Sequence, residues 1–165
     1  MEKKVKYNCI QSLREVGSPV IIVAAVLEAE AIVNACHNAG IVVSAFCESD
    51  KRKSQDLFCG LEVIHTPALP ERFPKARFII AAQQIHDIVE QLSRLGYDAF
   101  YSALELLENY DVDKHQHLTS SQSYMVARIL VYKKSHAVYF DEEKTYMRSL
   151  DVVITTRCSL KQAGN

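Results

Sequence analysis

Ser18-Pro19-Val20-Ile21-Ile22-Val23-Ala24, followed by Glu28 to Ala39 and then Ile41-Val42-Val43-Ser44-Ala45-Phe46, decides the fold of this chain. The first stretch is β-branched and does not alternate with polar residues. That pattern belongs to a strand covered on both faces, as in the middle of a parallel sheet. The second places Ala29, Ile32, Val33 and Cys36 at helical spacing, and Gly40 ends it. The third is again apolar and β-branched and runs into Cys47-Glu48-Ser49-Asp50 and a charged loop. Two buried strands joined by a helix are a parallel pair, because an antiparallel pair needs only a hairpin.

The same alternation continues outward. Cys59 to Ile64 reads as a short strand at a sheet edge, and Pro67 to Pro74 as a short helix bracketed by prolines. Arg77 to Ala82 is the next strand, Ile85 to Leu95 a helix with Ile85, Ile88, Val89 and Leu92 on one stripe, and Gly96 closes it. A strand near Ala99-Phe100-Tyr101 leads into a helix from Ala103 to Glu108. The expectation is an α/β fold: a parallel sheet with flanking helices over residues 18–110, preceded by a helical lead-in at 1–17. Residues 111–148 read as a linker and a connector helix, Ser121 to Ser135, started by a Ser120 or Ser121 cap. Its apolar stripe is Met125, Val126, Ile129 and Leu130. A further strand follows within 149–165.

This order of elements resembles the small Rossmann-like modules found beside sugar-modifying enzymes and some methyltransferases. Phe46-Cys47-Glu48-Ser49-Asp50 stands where those modules carry an acidic loop, and Gly60-Leu61-Glu62-Val63-Ile64 where they carry a short strand.

Composition removes several function classes. The 165 residues carry a net charge of −1, so no basic footprint points to nucleic acid or an anionic membrane. The longest apolar run, Pro19 to Leu27, is too short to span a bilayer. The five cysteines (Cys9, Cys36, Cys47, Cys59 and Cys158) form no CxxC pair, and the N-terminus is polar through Asn8. Reduced, cytoplasmic usage is expected, with most thiols acting as small buried hydrophobes.

The first turn argues against ordinary dinucleotide binding. A fingerprint G-x-G-x-x-G lets backbone amides approach a pyrophosphate at a helix N-terminus. Here the turn is Ala24-Ala25-Val26-Leu27-Glu28-Ala29, without glycine. The branched Cβ of Val26 fills the space a phosphate needs, and Glu28 repels an anion while favouring the helix dipole. A different ligand, a nucleotide or sugar nucleotide, would meet Val26, Glu48, Asp50, Ala82 and Gln83 at the carboxyl ends of the strands.

Other constellations carry little chemistry. His115 and His117 near Asp111 and Asp113 read as a polar linker rather than a metal site. His37, His65, His86 and His136 read as surface or capped histidines. Cys59 would be a nucleophile only with a histidine beside it, and His65 is the candidate. No general acid or base is assigned, and no catalytic residue.

Ser149-Leu150-Asp151-Val152-Val153-Ile154-Thr155-Thr156-Arg157-Cys158-Ser159-Leu160-Lys161 reads as a buried strand entering a cysteine-bearing loop. It resembles the first strand and cluster loop of the radical S-adenosylmethionine (radical SAM) domain. There, cysteines at CxxxCxxC spacing hold a [4Fe–4S] cluster. Gln162 and Asn165 occupy the second and third ligand positions, and an amide does not replace a thiolate. Cys158 is the one surviving ligand position and is not expected to bind metal alone.

The resemblance implies an accessory region that ends at the start of the radical SAM barrel. The barrel would be its partner in cis, and the cluster and S-adenosylmethionine would be cofactors of the parent alone. The expectation for this chain is a non-catalytic accessory domain for ligand recognition or assembly. A homodimerisation module held through Ile129 and Leu130, or an atypical nucleotide-binding enzyme domain, are the alternatives.

Overall fold

The computed structural model describes residues 5–108 and 120–141. Strand β1 (Val5–Lys6) and helix α1 (Ile10–Arg14) precede β2 (Val20–Val23), α2 (Leu27–Asn38) and β3 (Val43–Glu48). Then come β4 (Leu57–Phe58), β5 (Leu61–His65), α3 (Leu69–Arg72), β6 (Arg77–Ile80), α4 (Ile85–Arg94), β7 (Phe100–Ser102) and α5 (Ser120–Asp141). The strands form one sheet in the order β1-β7-β6-β2-β3-β5-β4. Every neighbouring pair is parallel except β4 with β5. This is the α/β architecture expected from the strand–helix alternation.

The unalternating apolar strands have a direct cause. Along β2, Val20 and Ile22 enter one hydrophobic cluster with Ala29, Ile32 and Cys36 of α2. Ile21 and Val23 enter the other, with Leu69 of α3 and Ile85, Val89 and Leu92 of α4. Both faces of the strand are buried, so neither tolerates a polar residue. Helices α2 and α4 end in the same way. Gly40 and Gly96 take φ of +74° and +94°. The next amides, of Ile41 and Tyr97, then reach back to the carbonyls of Cys36 (2.8 Å) and Leu92 (3.2 Å).

Several elements differ from the sequence expectation. The lead-in is not wholly helical: Val5–Lys6 pairs in parallel with Phe100 and Tyr101 of β7 and closes one sheet edge. Two residues are too few for periodicity to register. Strand β5 is not at the edge, because Leu57–Phe58 turns back through Cys59-Gly60 and covers it. Strand β3 starts later and ends later than expected, taking in Cys47 and Glu48. Residues 103–108 form turns rather than a helix, although Leu107 N–H still reaches the Ala103 carbonyl at 3.0 Å. Helix α5 runs six residues beyond Ser135, to Asp141.

Two side chains fasten the lead-in. Glu105 accepts the amides of Cys9 (2.6 Å) and Ile10 (2.9 Å), the free N–H groups at the start of α1. Arg77 donates to the carbonyls of Ser12, Glu15 and Ser18, fixing the segment between α1 and β2. Helix α5 takes part in both hydrophobic clusters. Ile129 and Tyr132 join the α2 side, whereas Tyr139 joins the α4 side. It therefore crosses from one face of the sheet to the other.

Candidate functional site at the carboxyl ends of the strands

Strand β2 leads through α2 to β3 on one side, and its other neighbour β6 leads through α4 to β7 on the opposite side. The order in which strands are added reverses between β2 and β6, which is the topological switch point where open α/β sheets bind ligands. Of the residues expected there, Val26 directly precedes α2, Glu48 ends β3, Asp50 follows it, and Ala82 and Gln83 follow β6. The register of β3, β2 and β6 brings these strand ends side by side.

The first turn is occupied from within. Ala24 adopts φ of +77°, the conformation a glycine would take without strain. Its N–H donates to the Cys47 carbonyl at 2.9 Å. The next amide, of Ala25, donates to the Glu48 carboxylate at 3.1 Å, and that carboxylate also accepts Ser49 N–H at 3.0 Å. Glu48 is nearly buried. A carboxylate of the chain itself thus takes the amide that an anionic ligand would need. Asp50 is likewise engaged, by the Arg52 side chain and amide, which hold its carboxyl down at about 2.

Glu28, in the first turn of α2, is also buried, and Arg128 of α5 donates to it from Nε at 2.5 Å. The paired carboxylate pushes the guanidinium pKa above its ordinary value. One turn further along α5, Tyr132 is fully buried. Its hydroxyl donates to the Ile80 carbonyl at 2.7 Å and accepts Ala103 N–H at 2.9 Å. Another turn on, His136 lies 0% exposed with its ring stacked on Tyr132, centroids 3.9 Å apart. Its Nε2 donates to the Ala82 carbonyl at 2.9 Å, and its Nδ1 lies 2.8 Å from Ser102 Oγ. His136 is therefore an interior fastening and not a surface histidine. Through these bonds α5 covers the ends of β6 and β7, including the Ala82 carbonyl, whereas Gln83 stays exposed.

Ser102 and His136 stand at a distance usual for a nucleophile and its base. Both are wholly buried, and burial lowers the His136 pKa to about 4. With Nε2–H given to Ala82, the neutral ring accepts a hydrogen bond from the Ser102 hydroxyl at Nδ1, and Ser102 Oγ accepts Leu104 N–H at 3.2 Å. Cys59 is exposed in the β4–β5 turn, and its thiol pKa is raised by partial burial and by Glu30. The His65 ring meets the Ser49 carbonyl at 3.2 Å. His86 lies against Tyr139, and His37 is at the surface.

Cys9, Cys36 and Cys47 are buried thiols pushed up to about 12 by desolvation. No group of three His, Cys, Asp or Glu that could hold a metal occurs among the described residues. Cys158 and the His115–His117 pair lie outside the described residues, as do the linker at 111–118 and the strand at 149–156. No helix among the described residues is long and apolar enough to cross a membrane.

Sequence reasoning passed over Ser102, Arg128 and Tyr132, and placed His136 among the surface or capped histidines. A signal existed: Arg128, Tyr132 and His136 recur every fourth residue on one face of a helix, so each polar group on that face needs a partner. The fold and this closed strand edge define a Rossmann-like α/β domain with a mostly parallel sheet. No family model, no curated protein and no solved structure matches the chain.

Proposed function

We propose that this chain is a non-catalytic accessory domain of a radical SAM protein, serving ligand recognition or assembly rather than turnover. The observation that carries this reading is α5: its Tyr132 and His136 take the carbonyls of Ile80 and Ala82 where such sheets receive a ligand. Glu48 closes the neighbouring amide of the first turn. The link to a radical SAM barrel in cis rests on the resemblance of Ser149 to Lys161. In that reading the cluster and S-adenosylmethionine belong to the parent protein, and Cys158 contributes one ligand of a set completed elsewhere.

Sequencing the coding region past codon 161 tests the radical SAM link. A longer form of the gene in which cysteines replace Gln162 and Asn165, followed by a barrel-length sequence, supports it. A longer form that keeps both amides, or a frame with no barrel-length sequence, ends it. A thermal-shift panel of nucleotides, nucleotide sugars and S-adenosylmethionine tests the closed edge separately. A ligand at about 100 times its Kd would add about 2.7 kcal/mol of stability; such a gain supports ligand recognition, and its absence across the panel supports assembly behind a closed edge.

A homodimerisation module is the second reading, favoured by the outer face of α5. Tyr124, Leu130 and Val131 are exposed there, although the same helix is fully packed on its inner side. Ile129, expected at that interface, is instead buried in the chain's own core.

A further inference from the structure

His136 bonds directly to both strand ends under α5, through Ser102 at the end of β7 and Ala82 just past β6. We propose that α5 is an acid-released latch: protonation of His136 detaches the helix from these strand ends and uncovers the crevice between β2 and β6. The hydrogen-bond pattern supplies the reason. The neutral ring donates Nε2–H to a carbonyl and accepts the Ser102 hydroxyl on Nδ1. A second proton on Nδ1 turns that acceptor into a donor, so the Ser102 hydroxyl hydrogen loses its partner. Meanwhile a cation appears at a wholly buried position, which is unfavourable unless it is paired.

The surroundings offer no compensation. Among the described residues no carboxylate is hydrogen-bonded to the ring, whose contacts are Ser102, the Ala82 carbonyl and the Tyr132 face. Glu28 of α2 is committed to Arg128, and Glu105 beyond β7 to the amides of Cys9 and Ile10. His86 of α4 packs on Tyr139 and carries no negative charge. Cys9, ahead of α1, has a thiol raised to about 12 and stays neutral. The sign follows from burial, which lowers the His136 pKa from 6.5 to about 4. The latch is fully closed above pH 6.5 and is lost progressively as pH falls towards 4.

Hydrogen exchange on the full chain between pH 8 and pH 5, corrected for intrinsic exchange, tests this. With a ring pKa of about 4 in the closed form and 6.5 when released, the open population rises about 30-fold over that range. Amides of α5 are expected to lose protection by that factor while those of β2 and β6 keep theirs. His136→Gln can still donate to Ala82 and accept from Ser102, so its α5 protection is expected to be independent of pH. If that variant fails to fold, an NMR titration of His136 in the wild-type chain replaces it, with a midpoint well below 6.5 expected. Simultaneous loss of protection in α5 and the strands overturns the latch, as does a ring titrating near 6.5.

Discussion

Ala24 holds a left-handed backbone conformation at the start of the first turn, with φ of +77° and its amide bonded to Cys47. An L-residue pays in steric strain for this, so Ala24→Gly should stabilise the chain by about 0.5–1 kcal/mol despite glycine's greater unfolded-state freedom. Chemical denaturation of the two proteins side by side measures it. At the other end of the scale stands Arg128, which neutralises a buried Glu28. Arg128→Ala leaves that carboxylate unpaired and should destabilise by about 2–3 kcal/mol, somewhat less than for a fully buried pair because the guanidinium is partly solvated. The Glu28→Gln change in the same background should recover part of the loss, and a double-mutant cycle reads it directly. Cysteine reactivity separates just as cleanly. Three described thiols are buried with pKa values near 12, and Cys59 is the exposed one among those described. In a Cys158→Ser background one thiol should react quickly with a disulfide reagent at pH 8, and Cys59→Ser should abolish that phase.

At the scale of elements, α5 carries the unusual physics. It is apolar on two sides, because its inner face serves the core and its outer face still presents Tyr124, Leu130 and Val131. Tyr132→Phe removes a hydroxyl that gives and receives one hydrogen bond, leaving the Ala103 amide and the Ile80 carbonyl without that partner. A loss of about 2 kcal/mol is expected, measured by urea denaturation. Leu130→Glu and Val131→Glu should leave monomer stability within about 0.5 kcal/mol. In analytical ultracentrifugation, dimers that dissociate on these substitutions would support the homodimer reading, and a wild-type monomer at micromolar concentration would end it. Ile129→Glu cannot serve as that test, since it places a charge in the core.

For the whole molecule, the strand–helix rhythm was legible because the sheet is covered on both faces. Val20 to Val23 had no solvent side on which to show alternation, and Gly40 and Gly96 marked helix ends. The pairing of β1 and the cover strand β4 were not legible, since two residues carry no period. The loss of the glycine fingerprint was readable from Ala24, Val26 and Ala29. What fills the crevice was not. Glu48 looked like a residue awaiting a ligand, and only the approach of β2 to β3 hands it the Ala25 amide.

By itself, the sequence determined the class of fold, the burial of the central strands and the lack of a glycine fingerprint in the first turn. Those depend on local spacing, side-chain branching and backbone freedom, which neighbouring residues carry. The tertiary structure alone decided that α5 lies across the carboxyl ends of β6 and β7. Arg128, Tyr132 and His136 reach partners 100, 52 and 54 residues away in the chain. Whether such a polar group is a waiting site or a satisfied fastening depends on which donor or acceptor the fold brings to it, and no local pattern encodes that.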